Sequence, residues 1–133
     1  MVKKSKKIQS EISAGELFDK ISILEIKLDK IKDENSKKEV SKEYHILKKT
    51  LNSNIDLNEK INSMFDELKT INSNLWIIED KLRICEKNKE YSKDFIELAR
   101  GVYLNNDKRA KIKSEINELL GSNIKEIKQY VDY

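Results

Sequence analysis

The sequence predicts an all-α protein, an elongated antiparallel helical bundle of three to four long helices plus a short C-terminal helix. Three observations carry that prediction. Apolar residues recur at steps of three and four through most of the chain, the spacing of one helix face. Proline is absent and glycine occurs three times in 133 residues, too few for the many tight turns of a β-sandwich or barrel. Charged residues make up 38% of the chain, a load that suits solvated helix faces and leaves a thin core. No period-two strand pattern occurs. A chain of this length reads as a single helical domain, residues 13–133, behind a basic tail at residues 1–12.

Each element has a local cause. Ser13 followed by Glu16 forms a capping box, in which each side chain takes a free backbone N–H. Leu17, Ile21, Leu24, Leu28 and Ile31 then make one stripe, so the first helix is expected to run to about Asp33, with a loop over residues 33–36. Val40, Tyr44, Leu47 and Leu51 share a face of the second helix. It is expected to break at Asn52-Ser53-Asn54, whose side chains compete for backbone hydrogen bonds. Ile61, Met64 or Phe65, Leu68, Ile71, Leu75, Ile78, Leu82 and Cys85 keep coiled-coil spacing from about Asp56 to Lys87. That is a rod of roughly 45 Å, which needs a partner along most of its length. The fourth helix starts near Ser92 and carries Phe95, Leu98, Val102, Ile112, Ile116 and Leu119. Gly121 is placed to end it in a left-handed cap, and Ser122 to begin the last short helix, through Tyr130.

Charge and composition exclude several function classes. The net charge is +3, but Lys3, Lys4, Lys6 and Lys7 in the tail supply it and the body is close to neutral. The tail is a solvated terminus or a tether to nucleic acid or an anionic membrane surface. Arg83, Arg100 and Arg109 are the only arginines and lie among mixed charges, so no specific nucleic-acid partner is expected. No apolar run approaches the roughly 20 residues of a transmembrane segment. The single cysteine, Cys85, excludes an internal disulfide framework and fits a reducing cytoplasm; on an inner heptad position it reads as a small buried hydrophobe. One histidine, His45, is too little for zinc or a di-iron bundle. There is no glycine-rich phosphate loop and no nucleophile elbow. No metal and no cofactor are expected, and no catalytic residue is assigned.

Candidate function lies where an apolar stripe is interrupted, since a broken local rule often marks a site. Between Val102 and Ile112 the inner positions of the fourth helix fall on Asn105 or Asn106 and on Arg109, with Tyr103 and Asp107 beside them. Arg100, Asp107 and Lys111 lie on one line. On the third helix Asn72, Trp76, Glu79, Arg83 and Glu86 step by four and three beside the apolar stripe, and Asp80 is adjacent. The first helix adds Glu16, Lys20 and Lys27 on one side, with Asp19 next to them. The candidate ligand-binding set is therefore Lys20, Lys27, Trp76, Glu79, Asp80, Arg83, Arg100, Tyr103, Asn106, Asp107 and Arg109. One reading is a polar layer that fixes helix register. The other is a pocket for an anionic or polyhydroxyl small molecule, held by arginine and lysine.

Four blocks of the chain resemble a known pattern. Gly15-Glu16-Leu17 with Asp19-Lys20 is similar to a Gly-Glu-Leu/Ile-x-Asp-Lys opening. Leu75-Trp76-Ile77-Ile78-Glu79-Asp80 with Arg83 is similar to a Leu-Trp-x-Ile-Glu-Asp-x-x-Arg core. Phe95-Ile96-Glu97-Leu98-Ala99-Arg100, Val102-Tyr103, Asn106-Asp107 and Arg109 make a third block. Ile116-Asn117, Gly121-Ser122, Glu126, Lys128 and Tyr130 make a fourth. Together they resemble an uncharacterised family, a domain of unknown function, of short helical bacterial and phage proteins. The resemblance implies a setting near sugar-transfer and cell-envelope glycan enzymes. Gly101 and Ile127 depart from the pattern, the first standing where a residue such as serine is expected and the second where a second glutamate is.

Two functions are expected to compete. The first is a non-catalytic helical module that forms a homo-oligomer or docks a partner protein, which the resemblance suggests is a glycan-assembly enzyme. Unpaired apolar stripes in a small chain are commonly closed by a second copy. The second is a small all-helical enzyme or receptor for a phosphorylated or carboxylated metabolite, with Glu79, Asp80 or Asp107 available for acid–base work.

Overall fold

The computed structural model describes Lys4 and residues 6–133; of the basic tail, Lys3 lies outside the described residues. Four helices follow in order, α1 (Ala14–Lys30), α2 (Glu34–Asn54), α3 (Glu59–Asn88) and α4 (Lys93–Leu120). Among the described residues there is no strand. The helices pack as a bundle in which α1 touches each of the other three and α3 also packs on α4. No described helix is long and apolar enough to cross a membrane.

Most boundaries follow local chemistry. Ser13 Oγ accepts the Glu16 N–H at 3.1 Å, which opens α1. The return half of the expected capping box is not made, because Glu16 turns its carboxylate to Lys113 Nζ, 2.7 Å away on α4. The loop expected over residues 33–36 is instead the start of α2. The Asp33 carboxylate accepts both the Ser36 N–H at 2.9 Å and the Ser36 hydroxyl at 2.8 Å, a cap that begins the helix at Glu34. Those two bonds, the backbone one first, hold the Asp33 carboxyl below its ordinary range. Asn58 Oδ1 accepts the Ile61 N–H at 2.9 Å, so α3 starts a few residues later than the heptad pattern alone implies. Gly121 ends α4 with φ 60°, the left-handed cap expected of it.

The expected fifth helix over residues 122–130 is a correction: the chain after Gly121 forms none. Its capping serine is engaged elsewhere. Ser122 Oγ accepts the Ala14 N–H at 3.1 Å and donates to the Ile124 carbonyl at 2.7 Å. Tertiary bonds thus outcompete the local turn. The tail then returns along α4, where the Tyr133 hydroxyl donates to the Asp107 carboxylate. The Tyr133 ring meets Tyr103 edge-on, with centroids 5.6 Å apart.

The core sits where α1 covers the other helices. Leu17, Phe18 and Ile21 of α1 meet Leu51 of α2, Ile61, Leu68, Ile71 and Leu75 of α3, and Ile112 and Ile116 of α4. The heptad stripe of α3 is buried only that far. From Trp76 to Lys111 no residue is buried, and Ile78, Leu82 and Cys85 are half-exposed. Cys85 is therefore a half-buried thiol rather than a core residue. Length explains the change: α1 has 17 residues and α3 has 30, about 26 Å against about 45 Å. Beyond α1, the α3–α4 pair continues as an arm of two helices. Gly101 lets them approach closely there, since a Cβ at that position would lie 3.0 Å from Ile78 Cδ1.

Candidate functional site

A buried polar network ties α1 to α3 and α4 at the root of the arm. Asp19, Ser22, Asn72 and Lys113 are all buried. Asn72 Nδ2 donates to Asp19 Oδ1 and to Ser22 Oγ, both at 2.8 Å. Ser22 Oγ donates to the Asp19 carbonyl at 2.8 Å. Two cations face the Asp19 carboxylate, Arg109 Nε and Lys113 Nζ, each at 3.8 Å. Among the described residues no side-chain nitrogen or oxygen that is itself closed to solvent lacks a partner. Of these five residues only Arg109 belongs to the candidate set and to the interrupted stretch of α4; Asp19, Ser22, Asn72 and Lys113 lie outside that set.

A second cluster closes the N-terminus of α1. The Gly15 N–H donates to Asn117 Oδ1 at 2.6 Å. Ser13 Oγ donates to both oxygens of Glu126, at 2.7 and 2.8 Å, and Asn117 Nδ2 donates to the same carboxylate at 3.2 Å. Gly15 permits this approach, because a Cβ there would lie 2.5 Å from the Lys113 carbonyl oxygen. Arg109, Lys113 and Asn117 step by four along α4. That polar line beside Ile112 and Ile116 was the available sign of both clusters.

Asn72 and Arg109 also belong to a cleft of about 380 Å3 between α1, α3 and α4. Its apolar side is Ile23, Ile26 and Leu75; its polar side is Trp76, Glu79, Asp80, Arg83 and Arg109 with Asn72. The sequence candidates divide at this point. Trp76, Glu79, Asp80, Arg83 and Arg109 share the cleft, and Arg83 Nη1 donates to Glu79 Oε2 at 2.6 Å. Lys20 is exposed and pairs with Glu16 at 3.8 Å. Lys27 is half-buried in the last turn of α1 and Asn106 is half-buried on α4, neither a wall of the cleft. Arg100 is exposed and held by Glu97 at 3.3 Å and the Tyr103 hydroxyl at 3.4 Å. It stands two and a half turns from Arg109, about 13 Å along the helix axis. Tyr103 and Asp107 hold the tail's Tyr133, whose hydroxyl is pushed above its ordinary value chiefly by the bond to Asp107.

A larger cleft, about 650 Å3, lies between α3 and α4 around Asp66, Thr70, Asn105 and Lys108. It contains no aromatic residue and no member of the candidate set. Among the described residues no group of histidine, cysteine, aspartate and glutamate is arranged to hold a metal ion.

One protein-family model matches residues 8–132, from the end of the basic tail through the network, the cleft and the returning tail. The chain belongs to DUF6165, a family of unknown function. No curated protein and no solved structure matches it.

In this DUF6165 chain the Glu126 clasp makes stability sensitive to acid. Burial pushes the Glu126 carboxyl up. The Ser13 hydroxyl, its own backbone, the Asn117 amide and nearby Lys113 outweigh that and hold it below its ordinary 4.5. A carboxyl depressed on folding stabilises the fold above its unfolded pKa and loses that contribution as pH falls through the folded value. Glu126→Gln is therefore expected to lower the urea midpoint by a constant amount above about pH 5. The gap should begin to narrow as pH falls below the ordinary carboxyl range and close only further into acid, once Glu126 is protonated in the folded protein. A gap that persists unchanged into acid would contradict the clasp.

Proposed function

We propose that this chain is a non-catalytic interaction module that works as a homodimer, with the α3–α4 arm as its contact surface. The observation that supports this is the second apolar stripe on the arm. Ile77 and Ile84 on α3 are 46% and 57% exposed, and Ile96 on α4 is 54% exposed; Tyr103, one heptad further on, is 44% exposed and already meets Tyr133 of the tail on one side. Each pair is seven residues apart, the spacing of a coiled-coil seam. Two helices without a third cannot bury both of their stripes, so the arm lacks a partner that a second copy supplies.

Charge favours an identical partner. On the arm section of α3, Glu79, Asp80 and Glu86 are matched by Lys81, Arg83 and Lys87. On that of α4, Asp94 and Glu97 are matched by Lys93 and Arg100. A balanced surface does not repel its own copy. On the family resemblance alone, we extend the proposal to a client, a cytoplasmic sugar-transfer or cell-envelope glycan-assembly enzyme.

Light scattering on the full chain at micromolar concentration tests the dimer. Wild type is expected at twice the chain mass, and the pair Ile77→Glu with Ile84→Glu at the chain mass with its helical circular dichroism retained. A monomeric wild type would overturn the proposal.

A further inference from the structure

We propose that the cleft at the root of the arm binds a neutral ring-shaped polyhydroxyl ligand, a single sugar ring, in preference to an anion. Charge balance is the first argument. Two guanidinium groups line the cleft, but Arg83 is paired with Glu79 at 2.6 Å and Arg109 faces Asp19 at 3.8 Å. Asp80 adds a further carboxylate to the wall. The wall itself carries two carboxylates, Glu79 and Asp80, against the two guanidinium groups, so it offers an entering phosphate or carboxylate no excess of positive charge. A hydroxyl group both donates and accepts, and thus uses carboxylate and guanidinium together.

The unused hydrogen-bonding groups agree. Arg109 makes no hydrogen bond to another described residue, which leaves its planar fork of donors available on a side chain only 27% exposed. Asp80 has no ion pair or hydrogen bond among the described residues, so its carboxylate is an open acceptor. Asn72 is 6% exposed. Its amide nitrogen serves Asp19 and Ser22, while its Oδ1 accepts nothing from another described residue. The wall therefore offers one fork of donors and two acceptors around an apolar patch. Trp76 supplies a flat face on which the C–H side of a sugar ring packs while the ring's hydroxyls reach the rim. The volume, about 380 Å3, lies near the lower end for ligand sites and suits one ring.

Trp76 is the only tryptophan of the chain, so its emission reports on this cleft alone. The full chain is titrated separately with glucose, galactose, mannose, N-acetylglucosamine and inorganic phosphate. At least one of the sugars is expected to give a saturable change below about 100 mM, with a dissociation constant near 1 mM, and phosphate none. Asp80→Asn, at an exposed position with no hydrogen bond or ion pair to another described residue, is expected to weaken sugar binding at least tenfold. Asp66→Asn, away from the cleft, should leave it unchanged. No saturable response to any of the four sugars, a response to phosphate alone, or full affinity in Asp80→Asn would each overturn the proposal.

Discussion

Asp19→Ala is expected to destabilise the protein by about 3 kcal/mol, which at this chain length lowers the melting temperature by roughly 12 °C. The reason is the company that Asp19 keeps. Its side chain is 5% exposed and faces Arg109 and Lys113, so its removal leaves the partly buried Arg109 without a counter-ion and the buried Lys113 with Glu16 alone. Breaking a buried pair from one side costs about 3–5 kcal/mol. The lower end applies because Lys113 keeps Glu16 at 2.7 Å. Asn72 loses one of its two acceptors and so adds to the loss. Urea unfolding of Asp19→Ala, Lys113→Met and the double variant checks the mechanism. The double variant should be more stable than the sum of the singles by at least about 0.5 kcal/mol. A cost below about 1 kcal/mol for Asp19→Ala would show that the carboxylate does not hold the three helices together.

Gly15→Ala comes next, with an expected loss of about 2–3 kcal/mol. The added methyl would stand 2.5 Å from the Lys113 carbonyl oxygen and 3.0 Å from Asn117 Oδ1. The carbonyl belongs to the interior of α4 and cannot turn away, so α1 must move off α4. Overpacking of this kind costs about 1–3 kcal/mol. The buried Gly15–Asn117 bond at 2.6 Å goes with it, worth about 1 kcal/mol net. Alanine's better helix propensity returns under 1 kcal/mol. Gly121→Ala is the control. Gly121 has φ 60° and open space around it, so substitution there adds about 1–2 kcal/mol of backbone strain and no clash. If Gly15→Ala proves no more harmful than Gly121→Ala, the close approach of α1 to α4 is not what that glycine serves.

These two residues show where reading the chain alone reached its end. Gly15 and Asp19 stood out in it as members of an opening motif, yet their partners lie far away. Lys113 is 97 residues from Glu16, Asn117 is 102 from Gly15, and Glu126 is 113 from Ser13. Periodicity carries no information across such separations, because it describes one helix face and not the face opposite. Arg100 and Arg109 illustrate the same limit. Both are candidates drawn from one helix, but only Arg109 lies at the level that α1 covers.

Local interactions were enough to establish the helical class, the opening at Ser13, the heptad line of α3 and the left-handed stop at Gly121. They also placed Trp76, Glu79 and Arg83 on one face, since residues three and four apart on a helix are neighbours in any fold. Only the packed chain could show that α1 ends short of the arm, that residues 122–133 strap back along α4 instead of coiling, and that Asp19 collects two cations from another helix. Those outcomes depend on which surfaces meet and on how far each helix extends. A tertiary hydrogen bond to Ser122 or Glu126 wins over a nascent last turn because a short isolated helix is marginal in water.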